Sequence, residues 1–131
     1  MKDSEIIIGN VDGSLLVGIN NGSLELPFNN NIYLLTVPIA GINYYIRYKD
    51  LIISNGDKLI LKREPNNNFD TYAIEVFTQN EIKLGYIPHR NNKVFARLMD
   101  GGKRLYAEVR EVQYYFDEIN EIVIKIFMND I

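Results

Sequence analysis

Between Leu59 and Pro88, apolar runs alternate with turn-forming residues too closely for a helix to fit between them. Leu59, Ile60 and Leu61 form a run that ends at Lys62-Arg63-Glu64-Pro65. Proline has no N–H to give a sheet ladder and disfavours a helical residue before it, so a strand stops there. Asn66-Asn67-Asn68 makes a turn, because asparagine tolerates unusual backbone angles and bonds its own backbone. Ala73, Ile74, Val76 and Phe77 restart a strand, and Gln79-Asn80-Glu81 reverses it into Ile82, Leu84 and Tyr86 at alternate positions. The stretch predicts strand, polar turn, strand, hairpin, strand. Its turn carries Phe69-Asp70, a pair that reads as buried, and Arg63-Glu64 flank it. That is more specific polar chemistry than a plain connection needs.

The flanks extend the same pattern. Ile32 to Ala40 is a β-rich apolar run in which Pro38 belongs at a sheet edge or bulge. Asn43-Tyr44-Tyr45-Ile46-Arg47-Tyr48 starts a short helix or lines a surface. After Pro88, Val94, Phe95, Leu98 and Met99 fall at helical spacing, predicting a helix over about Asn91 to Met99. Asn91 or Asn92 is its expected cap and Gly101-Gly102 its stop. Leu105 to Val112 then alternates as a strand, and Asp117-Glu118-Ile119-Asn120 turns it into a last strand, Ile122 to Met128. The expected fold is mainly β: a small OB-like barrel of about six mostly antiparallel strands with one or two short helices. Residues 32–131 form that domain. Residues 1–31 read as an N-terminal arm or appended hairpin, with Ile6-Ile7-Ile8 and Leu15-Leu16-Val17 either side of Asp12-Gly13.

The net charge of −3 conceals a division along the chain. Residues 1–31 carry one Lys or Arg against four Asp or Glu, and residues 111–131 one against five. Residues 32–110 carry twelve against eight, a mildly basic centre open to an anionic partner. With no cysteine there is no disulfide framework, which suits a reducing cytoplasm, the expected location. No apolar run reaches the roughly 20 residues of a membrane span. The single histidine and absent cysteine argue against zinc, and no metal or cofactor is expected. Catalysis finds no support: no serine sits in a nucleophile elbow, and Gly101-Gly102 lacks the lysine–serine partner of a phosphate loop.

The letters LKREPNNNFDTYAIEV, followed by LGYIP and a helix ending in MDGG, resemble the HIRAN domain over about Leu34 to Met128. That domain occurs as a stand-alone bacterial and phage protein and at the N-terminus of helicase-like DNA-remodelling ATPases. The resemblance implies a modified OB-like barrel that binds single-stranded DNA and, in its best-known member, captures a 3′-hydroxyl end. It implies nothing about ATP, because the motor is a separate domain.

Carried over by position, the resemblance makes Tyr44 and Tyr45 the paired tyrosines, with one of them expected in the core. It makes Phe69 a second base-stacking ring and Asp70 the acceptor of the sugar hydroxyl. Asn43 stands where the best-known member has an arginine, His89 where it has a lysine, with Arg90 beside it, and Tyr86 where it has a histidine. The expected DNA-binding set is therefore Asn43, Tyr44, Tyr45, Phe69, Asp70, Tyr86, His89 and Arg90, with weakened phosphate contacts and a shallower salt dependence. Tyr114 or Tyr115 stands roughly where a phenylalanine is usual. Arg63, Glu64, Pro65 and Asn66 are expected to build the turn rather than touch a ligand. The alternative partner is a protein or peptide held on the same barrel face.

Overall fold

The structure, a computed structural model, describes residues 31–46 and 51–129. Six strands make one antiparallel sheet: β1 Asn31–Pro38, β2 Lys58–Arg63, β3 Ile74–Thr78, β4 Lys83–Tyr86, β5 Arg104–Tyr115 and β6 Glu118–Asn129. Their order across the sheet is β1-β6-β5-β2-β3-β4. Two helices complete the fold, α1 Ile42–Tyr45 and α2 His89–Asp100. This is the expected mainly β architecture. Most of the arm expected over 1–31 lies outside the described residues, as do Arg47 and Tyr48; only Asn31 is seen, opening β1.

Alternation fills the interior. Ile122, Ile124 and Ile126 of β6 are fully buried with Ala107, Leu59, Val76 and Leu84 from the strands beside them. Burying a side chain of this size stabilises by about 1.5–3 kcal/mol. The opposite faces carry a cross-strand ladder in register, Tyr33 to Phe127 to Tyr106 to Ile60 to Phe77. Tyr106 and Phe127 stack with ring centroids 5.3 Å apart, and Lys58 lies over the Tyr106 ring. These half-exposed aromatics pack on one another.

Bulges at Tyr33/Leu35, Val76/Phe77 and Val109/Glu111 break the register and curl the sheet. The curl brings its two outer strands together at one pair. Ala40 N–H donates to the Tyr86 carbonyl at 2.8 Å, and Tyr86 N–H returns to Ala40 at 2.9 Å. A single contact thus joins the ends of a half-barrel.

Three local expectations are corrected. Helix α2 begins at His89, directly after Pro88, and no side chain caps it. Pro88 itself stands at the N-cap, at φ −55° and ψ 138°, and its carbonyl accepts the Asn91 N–H at 2.9 Å, so the helix opens on a backbone bond rather than on an asparagine side chain. Its inward face is Asn92, Phe95, Ala96 and Met99, an i, i+3, i+4, i+7 series. Val94 lies off that series and is 58% exposed. At its end, Lys103 N–H bonds Leu98 O and Gly102 N–H bonds Met99 O, a Schellman-type close with Gly102 at φ 99°. The β5–β6 hairpin is also longer than expected. Its turn is only Phe116-Asp117, both with positive φ, rather than Asp117 to Asn120.

Candidate functional site

Arg63 closes the turn between β2 and β3. Its NH1 donates to Ala73 O at 2.7 Å and its NH2 to Thr71 O at 2.9 Å. Nε and NH2 also grip Asp100, at the end of α2, at 2.8 and 3.1 Å. One side chain therefore ties β2, the turn and α2 together. The Arg63 guanidinium holds the Asp100 carboxyl below its ordinary range.

Inside the turn Asn67 is the organiser. Its Oδ1 accepts from the N–H groups of Phe69 and Asp70, and its Nδ2 donates to Glu64 Oε1. Two consequences follow for the expected site. Phe69, which reads as buried, is 96% exposed, because the turn pins its backbone and leaves the ring nothing to pack on. Asp70 is half-buried and faces α2, where His89 Nδ1–H donates to its Oδ2 at 2.8 Å and Asn92 Nδ2 at 2.7 Å. Its Oδ1 accepts the Tyr72 N–H at 2.9 Å, an Asx turn. The His89 hydrogen bond, against the opposing effect of burial, keeps the carboxyl below its ordinary value of 3.8.

From the other side of the turn, Glu64 Oε1 accepts the Tyr86 hydroxyl at 2.6 Å. That bond and the one from Asn67 hold Glu64 below its ordinary value. Lys83 Nζ donates to Tyr86 Oη at 2.8 Å and pairs with Glu75 at 3.0 Å. Burial and the Glu64 bond push the Tyr86 phenol up to about 12. Burial alone would lower Lys83, but its bonds to Tyr86 and Glu75 outweigh it and push it up. The Lys83 ammonium lies 4.5 Å from the ring centre of Tyr45 and 4.3 Å from that of Tyr86. Tyr45 packs against Tyr86 at 5.8 Å and meets Tyr44 edge-on at 4.8 Å.

A continuous chain of contacts therefore runs Tyr44, Tyr45, Tyr86, Glu64, Asn67, Phe69 and Asp70, then His89. Tyr45 is half-buried against the core, while Tyr44 projects, 83% exposed. Arg90 is exposed beside His89 at the start of α2. Asn43 is exposed and lines a different space, a cavity of about 660 Å³ with Ile46, Ile52, Tyr114, Tyr115, Asp117 and Glu118. Glu64, Asn67, Lys83 and Asn92 were not among the expected site residues. The bonds of Glu64 to Tyr86 and of Asn92 to Asp70 each span 22 residues, whereas Asn67 bonds locally within the asparagine turn. Asn92 shows in the sequence only as a polar residue interrupting an apolar helical face. Among the described residues no group of His, Cys, Asp and Glu could hold a metal ion. No helix among them is long and apolar enough to cross a membrane.

Comparison with known proteins matches residues 32–121 to the HIRAN domain. The helicase-like transcription factor of Oryctolagus cuniculus is 32% identical over 62 residues, 47% of this chain. That match spans only 6% of the curated protein's length. A solved protein from Lactobacillus plantarum superimposes with a TM-score of 0.64 at 30% identity, covering 75% of this chain and 94% of that one. The crystal structure of the HIRAN domain of human HLTF gives 0.58 at 19% identity, covering 76% and 78%. The NMR structure of the HLTF domain in its DNA-bound conformation gives 0.51 at 18% identity, covering 80% and 82%.

Proposed function

This chain belongs to the HIRAN domain family, and from that premise we propose that it is a non-catalytic module binding single-stranded DNA at a free 3′ end. The observation that carries the reading is the pair of projecting rings. Tyr44 and Phe69 both project from one chain of contacts, which passes on through Asp70 to His89. An exposed ring offers a face on which any base stacks, contributing about 1–3 kcal/mol per base. Asp70, kept ionised, accepts a hydrogen bond from the terminal sugar hydroxyl. A terminal phosphate in that place brings negative charge against the carboxylate and is rejected. Arg90 and His89, at the first turn of α2, contact the adjacent backbone phosphate, helped by the positive end of a helix that no side chain caps. The relative solved in a DNA-bound conformation has the same fold.

The test is fluorescence anisotropy with a short 5′-labelled oligonucleotide at low salt, repeated with a 3′-phosphate, with duplex and with Asp70→Ala. Binding of the 3′-hydroxyl strand is expected to exceed that of the phosphate by about tenfold or more. No binding at concentrations on the order of tens of micromolar overturns DNA recognition, given that phosphate-driven association is strongest at low salt. Equal binding of both ends removes end recognition alone.

A second reading, recognition of a protein or peptide, is favoured by the cavity beside Asn43. Its Asp117 and Glu118 repel phosphate, while Tyr114 and Tyr115 expose apolar surface there. On this reading a peptide sits beside the hairpin tip rather than at Asp70. Saturating oligonucleotide should then leave a bound peptide in place.

A further inference from the structure

We propose that Asn92 is a positioning residue for Asp70, and that the carboxylate it holds takes a single sugar hydroxyl, that of a deoxyribose end. This rests on the reading of Asp70 as the hydroxyl acceptor. An ionised carboxylate offers about four lone-pair positions. Both on Oδ2 are filled, by His89 Nδ1 at 2.8 Å and Asn92 Nδ2 at 2.7 Å. One on Oδ1 is filled by the Tyr72 N–H at 2.9 Å. The position that remains is on Oδ1. A ribose end, with 2′ and 3′ hydroxyls side by side, is best gripped by giving one hydroxyl to each carboxylate oxygen. The filled Oδ2 denies that second bond, so the 2′-hydroxyl adds nothing.

The two donors on Oδ2 differ in kind. The His89 side chain is 82% exposed, and water competes for its place. Asn92 is 2% exposed and is the one buried polar side chain among the described residues. It sits on the core face of α2, in the series with Phe95 and Ala96, where an apolar residue would pack without penalty. From there its amide reaches the carboxylate of the turn, across the sheet-to-helix boundary. With no room to swing away, it fixes which oxygen of Asp70 stays open.

Oligonucleotides labelled at the 5′ end and finishing in deoxy, dideoxy or ribo nucleotides test this, with wild type, Asn92→Ala and Asp70→Ala. Wild type is expected to favour the 3′-hydroxyl over the dideoxy end by about tenfold, the scale of one charge-assisted hydrogen bond. Deoxy and ribo ends should bind within about twofold of each other, since one bond is made in both cases. In Asn92→Ala the hydroxyl preference should fall several-fold, while dideoxy binding, which rests on stacking, stays put. The ribo end should then gain over the deoxy end as Oδ2 opens. Asn92→Leu, which keeps the branched shape in a larger, apolar side chain without a donor, serves if the alanine variant does not fold. An unchanged hydroxyl preference in the folded variant overturns the positioning role. A wild-type preference of about fivefold or more for ribo ends overturns the single-hydroxyl site. A full hydroxyl preference in Asp70→Ala marks instead a failure of the hydroxyl reading itself, and the proposal falls with it.

Discussion

Gly85 passes so close to Ala40 that a Cβ on it would stand 2.2 Å from the Ala40 carbonyl oxygen and 2.8 Å from Ile39 Cγ2. This is where the outer strands of the sheet meet, and the neighbouring Tyr86 makes both hydrogen bonds of the junction. The glycine of the Gly85-Tyr86-Ile87-Pro88 letters is therefore a condition of closure. Backbone atoms, unlike the end of a flexible side chain, cannot step aside. Gly85→Ala is expected to destabilise the domain by about 2–4 kcal/mol through overpacking and the loss of two backbone bonds. Urea denaturation measures it. Because Tyr86 also supports Tyr45, the amide signals of α1 should shift in the same variant.

Arg63 makes four hydrogen bonds to three partners with a side chain largely out of water. Arg63→Met leaves the Ala73 carbonyl and the turn unsupported and should cost about 2–4 kcal/mol. Arg63→Lys is not a rescue, since an ammonium cannot span both carbonyls and the carboxylate at once. Asp100→Asn should leave stability near wild type, because that partner is exposed and the two carbonyl bonds survive. Chemical denaturation of the three variants orders them. A lysine variant as stable as wild type removes the fork from the account.

What the residues disclosed in advance, and what they hid, divides by distance along the chain. The strands around Leu59–Leu61 and Ile74–Phe77 were legible because period-two alternation and Pro65 are local signals. In α2, Phe95, Leu98 and Met99 pack as their spacing predicts and only Val94 departs, while Asn92 holds a core position that periodicity passes over because it counts only apolar residues. Its role depends on Asp70, which no spacing rule links to it. The bridge from Glu64 to Tyr86 and Lys83 joins two strands that do not pair directly, so it too was invisible. Phe69 reads as buried because a ring in water is normally a loss, while the family resemblance makes it a base-stacking ring. The bonds from Asn67 show how its turn is held without the ring. The extra length of the β5–β6 hairpin was hidden for the converse reason, since Tyr114 and Tyr115 are exposed and give no inward face to count.

Acid should loosen the turn before the core. The Asp70 and Glu64 carboxyls are both lowered in the folded protein, by the His89 bond for one and the Tyr86 bond for the other. A group depressed on folding contributes stability that is present above its unfolded value and lost as pH falls through its folded value. Their contributions should therefore be complete above the ordinary values of 3.8 and 4.5 and fade below them. Denaturation midpoints followed from pH 6 to about pH 2 should fall more steeply for wild type than for Asp70→Asn combined with Glu64→Gln. Parallel curves would mean that the two bonds do not favour the ionised forms.

At alkaline pH the sign reverses. Tyr86, raised to about 12 from 10.0, holds its proton more tightly folded than unfolded. Its contribution is present below 10.0 and lost as pH rises through 12. Phenolate absorbance should reveal one tyrosine that titrates late, and Tyr86→Phe should remove that phase. The same variant leaves Lys83 paired with Glu75 and Glu64 bonded to Asn67, so its cost should stay near 1–2 kcal/mol, roughly one hydrogen bond with an ionised acceptor.

Tyr44 and Phe69 permit the sharpest separation of folding from recognition. Both rings stand in water, 83% and 96% exposed, and neither belongs to the core. Surface substitutions of that kind usually move stability by no more than about 0.5 kcal/mol. A ring that stacks on a base is worth about 1–3 kcal/mol of binding, or roughly fivefold to a hundredfold in affinity. Phe69→Ala and Tyr44→Ala should therefore melt like wild type yet bind a 3′-hydroxyl oligonucleotide far more weakly. Phe69→Tyr should bind like wild type, since it keeps the ring. If each ring holds its own base, the two losses should add in free energy in the double variant, with no coupling between them. If both grip one base, the double variant should lose less than the sum. Unchanged affinity in both single variants would place the nucleic acid elsewhere on the barrel, and the hydroxyl site around Asp70 would then need another entrance.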